Sequence, residues 1–152
     1  MKLPADAGPP TLLHTALELR APFEAALLGP SLPLLLMAPR GDGHPVLLVP
    51  GFLSSELPLL AMQAFLRNRG YTVDMWGFGR NVGLQRKHVA ALEQKVRFLH
   101  HKHRRKVSIV GWSLGGAFAL YVAHHAPECV RAIITLGSPV TVGAEGSQSP
   151  PA

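Results

Sequence analysis

Gly111-Trp112-Ser113-Leu114-Gly115 stands between two segments that read as different kinds of structure. Before it, Val107-Ser108-Ile109-Val110 is a short apolar run of the kind that forms a strand buried on both faces. After it, Gly116-Ala117-Phe118-Ala119-Leu120-Tyr121-Val122-Ala123 reads as helix. A G-x-S-x-G between a strand and a helix is a nucleophile elbow. The sharp turn forces the serine toward an unfavourable backbone conformation and lifts its hydroxyl out at the end of a sheet. A Cβ at Gly111 or Gly115 would crowd that turn, and Gly116 is a third small residue where helix and strand must pass closely. So short a pattern also arises by chance on surface loops. The flanking strand and helix separate an elbow from that coincidence.

Working outward, the same alternation recurs. Pro45 leads into the apolar strand Val46-Leu47-Leu48-Val49, which Gly51-Phe52-Leu53-Ser54 interrupts. The pattern predicts a helix from about 55 to 69, capped by Ser54 or Ser55 and ended by Gly70, with Leu59, Met62, Phe65 and Leu66 on one face. A strand follows over 71–76, closed by Gly77-Phe78-Gly79, then a helix over 85–102 with Val89, Leu92, Val96 and Leu99 as its apolar stripe. The elbow strand spans 107–111, the elbow helix 113–126, and Val130 to Leu136 is a last strand. Strands alternating with helices of this length imply an α/β fold, a three-layer sandwich around a mostly parallel sheet with right-handed crossovers. Residues 44–140 form this core. Residues 1–43 hold a helix over 11–28 and an apolar segment, Leu27 to Met37, broken by Gly29, Pro30 and Pro33 and able to cover the sheet. Residues 141–152 have the composition of a disordered tail.

Composition bounds the function. At 152 residues the chain is one domain at most, and 47% hydrophobic residues suffice for a core. Fifteen Lys+Arg against nine Asp+Glu give a net charge of +6. The basic residues concentrate in Arg97, Lys102, Arg104, Arg105 and Lys106 among His100, His101 and His103, without interleaved aromatics. That is a solvated face between a helix and a strand, not a nucleic-acid surface. The histidines have no carboxylate or thiolate at ligand spacing, so no metal site is expected. The single Cys129 permits no intramolecular disulfide and reads as a small packed residue, consistent with a cytoplasmic setting. No signal-peptide h-region follows the N-terminus, and Leu27 to Met37 falls short of the roughly 20 apolar residues of a membrane span, leaving peripheral membrane contact as the alternative.

A serine hydroxyl is a poor nucleophile at neutral pH and needs a base, a group to orient that base, and donors for the oxyanion. Leu114 N–H, at a helix N-terminus, is one expected donor; Phe52 N–H, with Gly51 allowing close approach, is the other. Taken together, His44-Pro45-Val46-Leu47-Leu48-Val49-Pro50-Gly51-Phe52, the elbow with Gly116, and Leu136-Gly137-Ser138-Pro139 resemble the α/β-hydrolase superfamily, and within it the lipase- and esterase-like members. The resemblance spans about 44 to 140. Pro50 stands where many relatives carry histidine. The resemblance implies Ser113 as nucleophile, Phe52 and Leu114 as oxyanion donors, Gly111 and Gly115 as elbow residues, an ester or lipid substrate, and no cofactor.

The chain departs from that pattern after the elbow, where the superfamily places an acid and then a histidine on later strands. Beyond Ser113 there are only His124, His125, Glu128 and Glu145. The two histidines lie on the elbow helix, about 16–18 Å along its axis from Ser113, and a base must come within about 3 Å. His88 and Asp74 are the upstream candidates. The expectation is a serine ester hydrolase truncated before its acid and histidine. The alternatives are a catalytically silent binding domain, or an acyltransferase or thioesterase with the same elbow. The last strand is expected to be an edge through which chains self-associate.

Overall fold

The computed structural model describes residues 28–83 and 85–138. The expected helix over 11–28, apart from its last residue, and the tail after Val140 lie outside them. The chain divides into two compact units, Met1–Pro39 and Arg40–Ala152.

In the first unit the apolar segment is not broken as its composition suggests. Leu28–Leu36 is a helix, α1, with Pro33 inside it. Pro30 falls in the first turn, where a backbone N–H has no intrahelical partner to lose. Pro33 deletes one hydrogen bond, yet Met37 N–H still donates to the carbonyls of Pro33 and Leu34 at 3.2 and 3.1 Å.

The second unit is built on four parallel strands: β1 (Pro45–Val49), β2 (Thr72–Met75), β3 (Val107–Trp112) and β4 (Val130–Leu136). Their order across the sheet is β2-β1-β3-β4. The helices between them are α2 (Leu60–Asn68), α3 (Arg86–His103) and α4 (Leu114–His125). The first turn of the expected 55–69 helix is instead a 3-10 turn, Leu57–Leu59, with Pro58 in it. Ser55 Oγ accepts from Leu57 N–H at 3.4 Å, but Glu56 leaves the helix end and accepts from Gly77 N–H at 2.5 Å.

Alternation along β1 divides the interior into two layers. Leu47 and Val49 point to one face, where they join Leu92, Val96 and Leu99 of α3, Phe118, Ala119 and Val122 of α4, and Val107 and Ile109 of β3. Val46 and Leu48 point to the other, with Val73 and Met75 of β2, Val110, and Met62 and Leu66 of α2. Helices on both faces of a parallel sheet are what its doubly buried strands require. Cys129 is buried in the first layer, and burial pushes its thiol above the ordinary range, so it packs rather than reacts. Trp76 is fully buried, edge-on to Phe78 and Phe118 at 5.0 and 5.2 Å, and belongs to this core.

Leu92 lies at the centre of the α3 stripe with no exposed surface. Leu92→Ala should lower stability by about 2–5 kcal/mol through lost burial and the cavity left behind; chemical denaturation should show the midpoint fall with little change of slope.

Candidate active site

The order β2-β1-β3-β4 means the chain leaves β1 toward one edge and returns to lay β3 on the other side. The loops at the C-terminal ends of β1 and β3 therefore diverge and open a crevice, the place where open parallel sheets bind ligands. Val49, the last residue of β1, is in register with Gly111 of β3. Two segments leaving these strand ends define the site: Pro50-Gly51-Phe52-Leu53 beyond β1, and Ser113 beyond β3.

Ser113 joins β3 directly to α4 with φ 51° and ψ −119°. A non-glycine residue is held there only when its surroundings over-determine it, at a cost of about 1–3 kcal/mol. The surroundings do so. Its N–H donates to Leu136 O at 2.8 Å, and its carbonyl accepts from Gly116 N–H at 3.0 Å. A Cβ on Gly111 would lie 2.4 Å from the backbone of Gly115, and one on Gly115 would lie 2.3 Å from Val49 O. A Cβ on Gly51 would come within 3.3 Å of the Ser113 Cβ. The two loops thus meet in van der Waals contact at the serine, which is itself half-buried.

Leu114 opens α4, so its N–H is among those a helix leaves unpaired. Phe52 N–H donates to no group among the described residues, while its neighbour Leu53, at φ 55°, donates to Asn81 O at 2.7 Å. Sequence reading missed Asn81. It is fully buried and ties the 79–83 loop to the loop after β1. Its only sequence signal is an amide between Gly79 and Gly83.

The candidate bases are not assembled around Ser113. Asp74 forms an ion pair with Lys95 Nζ at 2.9 Å and accepts from Met75 N–H at 2.9 Å. His88 lies edge-on to Trp76 at 6.0 Å, and its buried Nδ1 has no partner among the described residues. His125 stacks on Tyr121 at 3.9 Å and its Nδ1 pairs with Tyr121 O, at the far end of α4. Among the described residues no three His, Cys, Asp or Glu side chains are grouped to hold a metal ion.

At the opposite, N-terminal edge of the sheet stands an arrangement with no local sequence signal. His44 Nδ1 pairs with Asp42 Oδ1, and its Nε2 with Ser108 Oγ at 2.8 Å. Asp42 Oδ2 also accepts from Arg105 and Arg131 at 2.9 and 2.6 Å. The register between β3 and β4 shifts beside Val107, so that Arg131 falls between paired positions, and such irregularities re-aim a side chain. Its guanidinium, with the His44 ring, holds the Asp42 carboxyl well below the usual carboxylate range. Ser108 and His44 are buried in the sheet. Their order is that of a catalytic relay, but Ser108 is a strand residue paired on both sides, with no turn to present its hydroxyl.

A parallel sheet with a strained serine in a strand-to-helix turn over its switch point defines the class: a hydrolase-type α/β protein. Residues 44–151 match the family model described as alpha/beta hydrolase fold. The chain belongs to the α/β-hydrolase family. It is 34% identical over 79 residues to the pimeloyl-(acyl-carrier protein) methyl ester esterase of Vibrio cholerae, covering 52% of this chain and 30% of that one. The enzyme of the same description from Citrobacter koseri is 38% identical over 68 residues, 45% of this chain and 25% of that one. Among solved structures, the mature lipase BlEst2 of Bacillus licheniformis superposes with a TM-score of 0.53 at 27% identity, over 68% of this chain and 44% of that one. The chain therefore spans less than a third of the length of the curated relatives it matches. No helix among the described residues is long and apolar enough to cross a membrane.

The Asp42 cluster has a pH signature. Because the folded carboxyl titrates below its ordinary value of 3.8, its stabilisation is fully present above that pH and lost as pH falls toward the folded value. Asp42→Asn should lower stability at neutral pH and flatten its decline below about pH 4; thermal melts between pH 7 and 2 measure both effects.

Proposed function

We propose that this chain carries the nucleophile and oxyanion donors of a serine ester hydrolase. The observation that carries this reading is Ser113, held at φ 51° between β3 and α4 against the loop that follows β1. Strain stored at one hydroxyl over a crevice is what an exposed nucleophile requires. In the proposed step the Ser113 oxygen attacks the carbonyl carbon of a carboxylic ester while a base takes its proton. The oxyanion accepts hydrogen bonds from Phe52 and Leu114 N–H, the second at the positive end of the α4 dipole. Collapse breaks the bond to the alcohol, which leaves with the proton, and water then hydrolyses acyl-Ser113.

The substrate class we assign is a small ester or lipid ester, without cofactor. Similarity to esterases that act on a methyl ester and to a lipase supports this class. The histidine and carboxylate that complete the machinery are assigned to the part of the relatives' length that this chain does not span. The second reading, a silent binding domain of the same fold, is favoured by one observation: Ser113 Oγ has no imidazole partner among the described residues. We also propose a cytoplasmic setting, and self-association through β4, the sheet edge on which Ile134 is 50% exposed; Ile134→Lys should then reduce light scattering of the purified chain.

A fluorophosphonate probe separates the two readings, since Ser113 Oγ would displace fluoride from its phosphorus. Labelling of the wild type should be slow, because residual catalysis without a complete triad lies orders of magnitude below the full site. Ser113→Ala should abolish it with an unchanged circular dichroism spectrum. Ser113→Gly should abolish it and hold or raise Tm, because glycine tolerates the positive φ that serine resists. Equal labelling of wild type and Ser113→Ala would remove the nucleophile assignment.

A further inference from the structure

We infer that Asn81 is the positioning residue of the oxyanion loop. The inference rests on the reading of Phe52 N–H as an oxyanion donor, and it adds what holds that N–H in place. Asn81 has no exposed surface. It directs its hydrogen-bonding groups to the loop after β1 from both sides of Phe52. Before Phe52, the side-chain amide Nδ2 donates to Pro50 O at 2.8 Å. After it, the Asn81 carbonyl accepts from Leu53 N–H at 2.7 Å, and its own N–H donates to Ser54 O at 3.0 Å. The remaining acceptor, Oδ1, takes Gly83 N–H at 3.1 Å, which locks the amide orientation from within its own loop.

The clamp has a physical task. Leu53 is held at φ 55°, a conformation that leucine, unlike glycine or asparagine, resists. The Phe52 N–H belongs to the Gly51–Phe52 peptide, whose carbonyl accepts from Ser54 N–H at 3.2 Å. Left alone, the flanking peptides at Pro50 and Leu53 would relax by rotating and carry that unit with them. The bonds at Pro50, Leu53 and Ser54 prevent that relaxation. A further contact seats the Phe52 ring near the same loop, 3.6 Å from where a Cβ on Gly83 would lie. Burial of Asn81 strengthens the arrangement, because its own amide and backbone groups have no water to turn to if left unpaired. Among side chains of this length only asparagine offers this pair. Aspartate keeps the acceptor for Gly83 but sets an oxygen against the Pro50 carbonyl, and alanine removes both.

Asn81→Ala and Asn81→Asp, with Val96→Ala as a core variant remote in sequence from both loops, separate positioning from general destabilisation. Two measurements are made on the 152-residue chain: amide hydrogen exchange over residues 51–54, and the kinetics of fluorophosphonate labelling resolved into the maximal inactivation constant and KI. Both Asn81 variants should exchange faster in that segment. They should also lose about 10²-fold in the maximal constant, the effect of one oxyanion donor, with KI unchanged. Val96→Ala should label at the wild-type rate despite a lower Tm. Labelling retained in both Asn81 variants, or lost equally in Val96→Ala, overturns the inference. If the wild type is not labelled at all, the ester-hydrolase reading fails, and the clamp is then decided by exchange alone, where unchanged protection in the Asn81 variants overturns it. Asn81→Ser takes the place of Asn81→Ala should the latter not fold.

Discussion

The approach of the first turn of α4 to the ends of β1 and β3 is the contact on which the active edge depends. A single methyl group on Gly115 would stand 2.3 Å from the carbonyl oxygen of Val49, and one on Gly111 would stand 2.4 Å from the Gly115 backbone. Bare backbone on each side lets the helix begin immediately after the strand, and it leaves Ser113 no room for a relaxed φ. Residues further along α4 offset that strain. Phe118, Ala119 and Val122 have no exposed surface, and they anchor the helix to the same layer as Leu47, Val49 and Ile109. Burial of that kind contributes about 1.5–3 kcal/mol per large side chain, enough to hold one residue in an unfavourable well.

The two edges of the sheet divide the labour. At the C-terminal edge, Leu53 and Ser113 hold strained backbone, and the side chain that fastens the first of these loops, Asn81, is uncharged and fully buried. At the N-terminal edge, charge does the holding: Arg105 and Arg131 converge on Asp42 from the turn before β3 and from β4. Those residues lie 63 and 89 positions from Asp42 in sequence. That network gathers the beginnings of β1, β3 and β4, while the loops at the other edge keep their distinct shapes.

Much of this architecture was legible because it is written in periodicity. The short apolar runs at Val46–Val49 and Val107–Val110 became doubly buried strands, and Leu92, Val96 and Leu99 became the inner stripe of α3. Ser113, Phe52, Leu114, Gly111 and Gly115 could be picked out as candidates because an elbow is a local pattern with local steric reasons. What was not legible is non-local or runs against propensity. Pro33 inside α1 defeats a rule that proline ends helices, since Leu34, Leu35 and Leu36 continue the helix past it. Asn81 reads as one more polar loop residue, and its importance lies in groups about 30 positions away. Asp42, His44 and Ser108 share no spacing that a sequence displays. A base for Ser113 was sought in vain among the histidines, and the described residues bring none to it.

If Ser113 is the nucleophile we propose, the Asp42–His44–Ser108 chain makes Ser108 a decoy. It has the acid, the imidazole and the hydroxyl in the right order, within the same sheet that carries the strained serine, and it is the more complete constellation of the two. Template matching on side-chain atoms alone would select it and pass over Ser113. The discriminating quantities are backbone ones: the sign of φ, the presence of a following helix, and exposure of the hydroxyl. In this fold the credentials of a nucleophile are issued by the main chain, and a perfect set of side-chain partners can mark nothing more than a well-fastened seam.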